Sequence, residues 1–112
     1  MSSMDDRTRE MLDAEVGRQL AAHGQVQPPW RAYPDYERYS IGWRMGNGEW
    51  HMMTWGHWWQ AAFPGEPERL AFFRAEPPPA EWLDWAAYQI WPDLGFGEAG
   101  ITRLADHGIG PA

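Results

Sequence analysis

The chain has 112 residues, a formal charge of −7 and no cysteine. These features exclude disulfides, thiol catalysis and cysteine-ligated metal sites. All nine basic residues are Arg, which rules out Schiff-base chemistry on lysine and a phosphate-binding lysine loop. An Arg-only composition rich in Ala, Gly, Pro and Trp matches the coding bias of a high-GC bacterium or its phage. Met1 to Glu10 is charged and has no apolar run, so a cytoplasmic protein without a secretory leader is expected. No stretch reaches the roughly 20 apolar residues of a membrane span. The acidic balance disfavours general nucleic-acid binding, which needs a basic face, and favours a basic partner.

All seventeen aromatic residues, nine of them Trp, lie between Trp30 and Phe96, while Leu, Ile and Val contribute twelve residues in all. The interior is therefore expected to be built from rings, each burying roughly 150–250 Å². Nine indoles exceed what so small a domain readily encloses, so some are expected at the surface, where aromatics mark binding patches.

In chain order, Ser3 to Ala22 reads as an amphipathic helix, with Ser3 and Asp6 at capping-box spacing. Its apolar stripe is Met4, Thr8, Met11, Leu12, Val16 and Leu20. His23-Gly24 stops it, and Gln25 to Pro29 reads as a linker. Tyr33, Tyr36, Tyr39 and Trp43 recur every three or four residues and predict a helix from Asp35 to Arg44, with Pro34 in its first turn and Gly46-Asn47-Gly48 as its break. The next helix, Glu49 to Phe63, carries rings and methionines round nearly its whole circumference. That pattern predicts a central helix enclosed from more than one side, with Trp55, Trp58 and Trp59 in the core. Gly56 in its middle reads as a point of close approach.

Pro64-Gly65 ends that helix. Pro67 opens another that runs to Glu76, and Pro77-Pro78-Pro79 stops it. Glu81 to Trp91 and Glu98 to Asp106 complete the series. Strand-like alternation is missing, so the expected fold is all-α: one domain, residues 1–112, of five or six short helices. Residues 28–49 and 77–98 align without gaps, with eight identities including Asp35/Asp84, Tyr39/Tyr88 and Glu49/Glu98. Either they form a pseudo-twofold pair of helix–turn–helix units, or they share only the grammar of proline starts and glycine stops.

The chemistry is sparse. The turns Gly46-Asn47-Gly48-Glu49 and Gly95-Phe96-Gly97-Glu98 could cradle phosphate, but a Glu sits where the anion would bind, so helix capping explains them better. His51 and His57 stand about 120° apart on a helix, a poor metal pair. A site formed by either with Glu49 or Glu98 is the metal alternative, while His23 and His107 sit at helix ends. No nucleophile elbow is present, and carboxylate pairs such as Glu66/Glu68 and Glu76/Glu81 read as solvated charges. Arg44 beside Trp43, and Arg74 after Phe72-Phe73, are candidate cation–π pairs.

The segment YSIGWRMGNGE stands out as a motif with no function attached to it. Trp43, Arg44, Asn47, Glu49 and Trp50 are the candidate binding residues, because Trp and Arg are enriched at interface hot spots. The leading expectation is a non-enzymatic module that binds a protein partner through an aromatic and acidic surface. An inhibitor, immunity or anti-defence role would suit its size and charge. The alternatives are a small-molecule or sugar-binding module with a Trp-lined pocket, and a small His/Glu-based metal protein or enzyme. No cofactor is implied.

Overall fold

A computed structural model describes residues 5–111. Its helices are α1 (Asp6–His23), α2 (Pro29–Ala32), α3 (Gly46–Ala62), α4 (Glu66–Ala75), α5 (Leu83–Ile90) and α6 (Glu98–Asp106). Short 3-10 turns lie at Ile41–Arg44, Ala80–Trp82 and Pro92–Leu94. No strand occurs among the described residues, so the all-α expectation holds. The chain divides into two compact units, Met1–Ala62 and Phe63–Ala112.

In the first unit α1 packs against α3. Asp13 Oδ1 meets His57 Nε2 at 2.7 Å and Gln19 Nε2 meets His51 Nδ1 at 3.4 Å. Six residues forward on α1 therefore match six residues back on α3, so the two helices run antiparallel over about 9 Å. Asp5 caps α1, its Oδ1 accepting the Thr8 N–H at 2.7 Å. This replaces the expected Ser3–Asp6 box, and Ser3 and Met4 lie outside the described residues. The face that α1 buries is also rotated from the expected stripe. Leu12 and Gln19 are buried, whereas Met11 and Leu20 are exposed, because the partner helix selects the face it covers.

Tyr33 to Arg44 is not the expected helix. Residues 34–40 form turns, and Ser40, in extended conformation, caps the Ile41–Arg44 3-10 turn by accepting the Gly42 N–H at 3.0 Å. The Glu37 carbonyl, which a helix would offer to residue 41, instead receives the Ser40 N–H and the Trp43 indole N–H, at 3.0 and 2.9 Å. The three-to-four spacing of aromatics serves ring packing: Tyr33 stacks on Tyr36 at 5.0 Å, and Trp43 stands edge-on to both.

Gly46-Asn47-Gly48 does not break a helix but forms the first turn of α3. The buried residues of α3, Gly48, His51, Thr54, Trp55, Trp58 and Trp59, lie within one arc of about 140°. The helix is thus one-sided rather than ringed. Trp55, Trp58 and Trp59 share that face, with Trp55 stacked on Trp59 at 4.9 Å and T-shaped to Trp58. All three belong to the core as expected. Gly56 faces open space, so it mediates no close approach.

In the second unit α5 packs against α4 and α6. Gly100 lies so near Ala87 that an added Cβ would come within 2.7 Å of the alanine methyl. Phe73, Trp82 and Trp85 interlock at right angles. Arg69 donates to the Phe63 and Gln89 carbonyls at 2.6 and 2.9 Å, pinning α4 to the end of α5. The Trp91 indole N–H donates to Glu66. This gives Glu66 a structural partner rather than leaving it a simply solvated charge.

The 28–49 and 77–98 segments fold differently: turns occupy 34–40, while the matching stretch of the second copy lies in α5. Tyr39 projects from a turn, and Tyr88 stacks on Phe96 from a helix. The structure therefore does not reproduce the pseudo-twofold pair. The two copies share glycine and proline punctuation.

Candidate functional site

Six indoles are buried, and Trp30, Trp43 and Trp50 are half-buried, so part of the tryptophan set reaches the surface as expected. The exposed aromatics are Tyr39, Tyr88 and Phe96. Two features of the first unit gather the candidate residues.

The first is the projecting segment 39–45. Tyr39 is 79% exposed, Ile41 68% and Met45 59%. Its underside is rigid, because Gly42 lies beneath the Tyr36 ring and Gly48 of α3 abuts the Gly42 carbonyl so closely that neither site has room for a Cβ. Trp43 belongs to this foundation, while Arg44 is exposed beside the projecting apolar groups. The motif YSIGWRMGNGE thus encodes a 3-10 turn clamped by glycine onto the start of α3. Cation–π contacts include Arg38 over Tyr39 at 4.7 Å and Arg103 over Trp91 at 5.3 Å, and the expected pairs of Arg44 with Trp43 and Arg74 with its phenylalanines are not formed among the described residues. Arg74 instead donates to the His107 carbonyl at 3.3 Å.

The second feature is a cleft of about 550 Å³ between α1, the Gln27–Tyr33 stretch and α3. Asn47 and Trp50, one turn apart on α3, line it, as do Arg18 and Glu15 of α1. Glu49 is exposed and is not part of the lining. The five candidates are therefore split: two line the cleft, two belong to the projecting segment, and Glu49 stands apart.

The floor of this cleft is a closed polar network. The Gln27 N–H donates to Gln19 Oε1 at 3.0 Å, which fixes the amide orientation. Gln19 Nε2 then faces Glu15 Oε2 at 3.1 Å and His51 Nδ1 at 3.4 Å. His51 Nε2 lies 2.7 Å from the Gln27 carbonyl. A carbonyl only accepts, so Nε2 carries the proton and Nδ1 accepts from Gln19. Burial pushes the His51 pKa below its ordinary value, against the opposing effects of the Gln27 carbonyl and Glu15. Burial alone would raise the Glu15 carboxyl. Hydrogen bonds from Arg18 and Gln19 outweigh it and hold Glu15 below the usual carboxylate range. Sequence reasoning missed Gln19, Gln27 and Arg18. The one available signal was Gln19 at i+4 from Glu15 on a helix.

For the metal alternative, both His51 nitrogens are engaged, and His57 Nε2 meets Asp13. No group of three His, Asp or Glu side chains with metal-holding geometry occurs among the described residues. Among the described residues, no helix is long and apolar enough to cross a membrane. Comparison with known proteins finds no match to a family model, a curated protein or a solved structure.

Proposed function

We propose that this protein is a non-catalytic binding module that engages a protein partner through the 39–45 segment. The observation that carries this reading is the exposure of Tyr39, Ile41 and Met45 within seven residues, on a backbone held rigid by the Gly42–Gly48 contact. Apolar side chains presented together and already ordered bind at small entropic cost. Burying Ile41 alone against a partner contributes about 1.5–3 kcal/mol. Exposed Asp35 and Glu37, just before the segment, add acidic charge that favours a basic partner surface and speeds encounter.

The test is affinity capture from a lysate of the native host on immobilised chain, comparing wild type with Ile41→Asp and Arg44→Ala. Both residues are exposed, so both variants should keep the wild-type melting temperature. Ile41→Asp is expected to lose a specifically retained protein, and Arg44→Ala to weaken its retention. Trp43→Ala, which cuts into the foundation, is expected to lower stability and capture together. Equal capture by wild type and Ile41→Asp would overturn the proposal.

A further inference from the structure

Another cavity of the first unit shares no residue with the Asn47/Trp50 cleft or with the 39–45 segment. It holds about 420 Å³, and Met52, Met53, Gly56, His57 and Gln60 of α3 line it with Leu12 of α1. Gly56 is the centre of this set. Met52 and Met53 lie one turn before it, His57 follows it, and Gln60 lies one turn after it. A Cβ on Gly56 would meet nothing within 4 Å, so the glycine serves no packing contact. It costs the helix about 1 kcal/mol against Ala. What its missing side chain provides is room among its neighbours.

His57 Nε2 lies 2.7 Å from Asp13 Oδ1. An ionised carboxylate only accepts, so in the neutral imidazole Nε2 carries the proton and Nδ1 keeps its lone pair. That Nδ1 has no partner among the described residues and is not sealed from solvent. A carboxylate on one ring nitrogen and an open lone pair on the other is the arrangement of a metal-binding histidine: the carboxylate fixes the ring and raises its basicity. The remaining donors decide which ion. His57 and Asp13 gain no third His, Asp or Glu in metal-holding geometry among the described residues, so zinc and harder ions lack a ligand set. The cavity offers thioethers instead. Met53 and His57 stand four residues apart on one helix face, with Cβ atoms about 5–6 Å apart. Thioethers are soft donors that select Cu(I), and the rotatable bonds of methionine let both sulfurs settle on an ion. The chain's charge of −7 favours a cation.

We propose that Met52, Met53 and His57 bind a soft monovalent metal ion, Cu(I), with Asp13 as the positioning residue behind the imidazole. His57 Nδ1 and the Met53 sulfur are the primary pair, and the Met52 sulfur completes a three-coordinate set. The site is separate from the 39–45 surface and stands or falls without it.

The test is a carbon–proton NMR titration of the methionine methyl groups of the full chain. The Met52 and Met53 signals are identified by their loss in Met52→Leu and Met53→Leu. The probes are silver nitrate in chloride-free buffer, as a redox-inert stand-in, Cu(I) kept reduced by ascorbate without oxygen, and zinc sulfate. Saturable shifts of both methyls are expected with Ag(I) and Cu(I), and none with zinc. Asp13→Asn removes only the outer carboxylate and should weaken Ag(I) binding by about tenfold or more. Met53→Leu and His57→Gln remove ligands and should weaken it further. Met53 is 42% exposed and Leu conserves its volume, so that variant keeps the test decisive if His57→Gln fails to fold. A groove that is merely apolar would not respond to silver. The proposal is overturned if either monovalent ion gives no saturable shift, if zinc shifts the same methyls, or if Met53→Leu or Asp13→Asn binds Ag(I) like wild type.

Discussion

Two glycines of one helix should respond in opposite directions to the same substitution. A Cβ on Gly48 would lie 1.9 Å from the Gly42 carbonyl oxygen and 2.7 Å from its carbon. Both are backbone atoms, so no side chain can swing away. The 3-10 turn would have to retreat by about 1.1 Å before the oxygen reached the 3.0 Å limit of real Cβ contacts. Overpacking of this kind costs about 1–3 kcal/mol, only partly offset by a helix-propensity gain of up to about 1 kcal/mol. A Cβ on Gly56 would meet nothing within 4 Å, so there the propensity gain stands alone. Gly48→Ala is therefore expected to destabilise by about 2 kcal/mol and Gly56→Ala to stabilise by up to about 1 kcal/mol. For a domain of this size each kcal/mol moves the melting temperature by about 4–8 °C. Thermal and urea denaturation of both variants measures the contrast. A Gly48→Ala variant as stable as wild type would refute the close-approach argument and remove the rigid foundation from the 39–45 segment.

Trp55 and Trp59 are each 2% exposed and stacked on one another, so Trp55→Ala or Trp59→Ala should cost about 3–5 kcal/mol. Urea midpoints within error of wild type for both would contradict their place in the core. Acid sensitivity should follow from His51 and Glu15. The folded state holds His51 neutral, so the unfolded chain binds its proton first, and stability should fall as pH drops below about 6.5 towards the lowered folded value. Glu15, also lowered, adds a further loss as pH falls below about 4.5. His51→Gln should flatten the near-neutral part of a stability-versus-pH curve, and a slope between pH 5 and 7 unchanged in that variant would refute the assignment.

The helical class and most breaks were legible in the sequence because proline and glycine act locally. Pro67 in a first turn, Pro77-Pro78-Pro79 as a stop and Glu98 as the opening of α6 need no tertiary partner to exert their effect. The core positions of Trp55, Trp58 and Trp59 were legible too, although their shared face was misjudged: i, i+3 and i+4 are neighbours on a helix, and the exposed side of α3 is set by what packs on it. The Tyr33–Arg44 stretch lay beyond the sequence. Its spacing suits a helix and ring stacking equally, and the competition for the Glu37 carbonyl between a backbone N–H and the Trp43 indole is resolved only in three dimensions. The candidate sites divide the same way. Sequence singled out the segment that holds Trp43 to Trp50. The antiparallel pairing of α1 with α3 then brought Glu15, Arg18 and Gln19 to Asn47, Trp50 and His51. A cleft is a relation between residues some thirty positions apart, and helical periodicity, whose reach is one turn, carries no information about it.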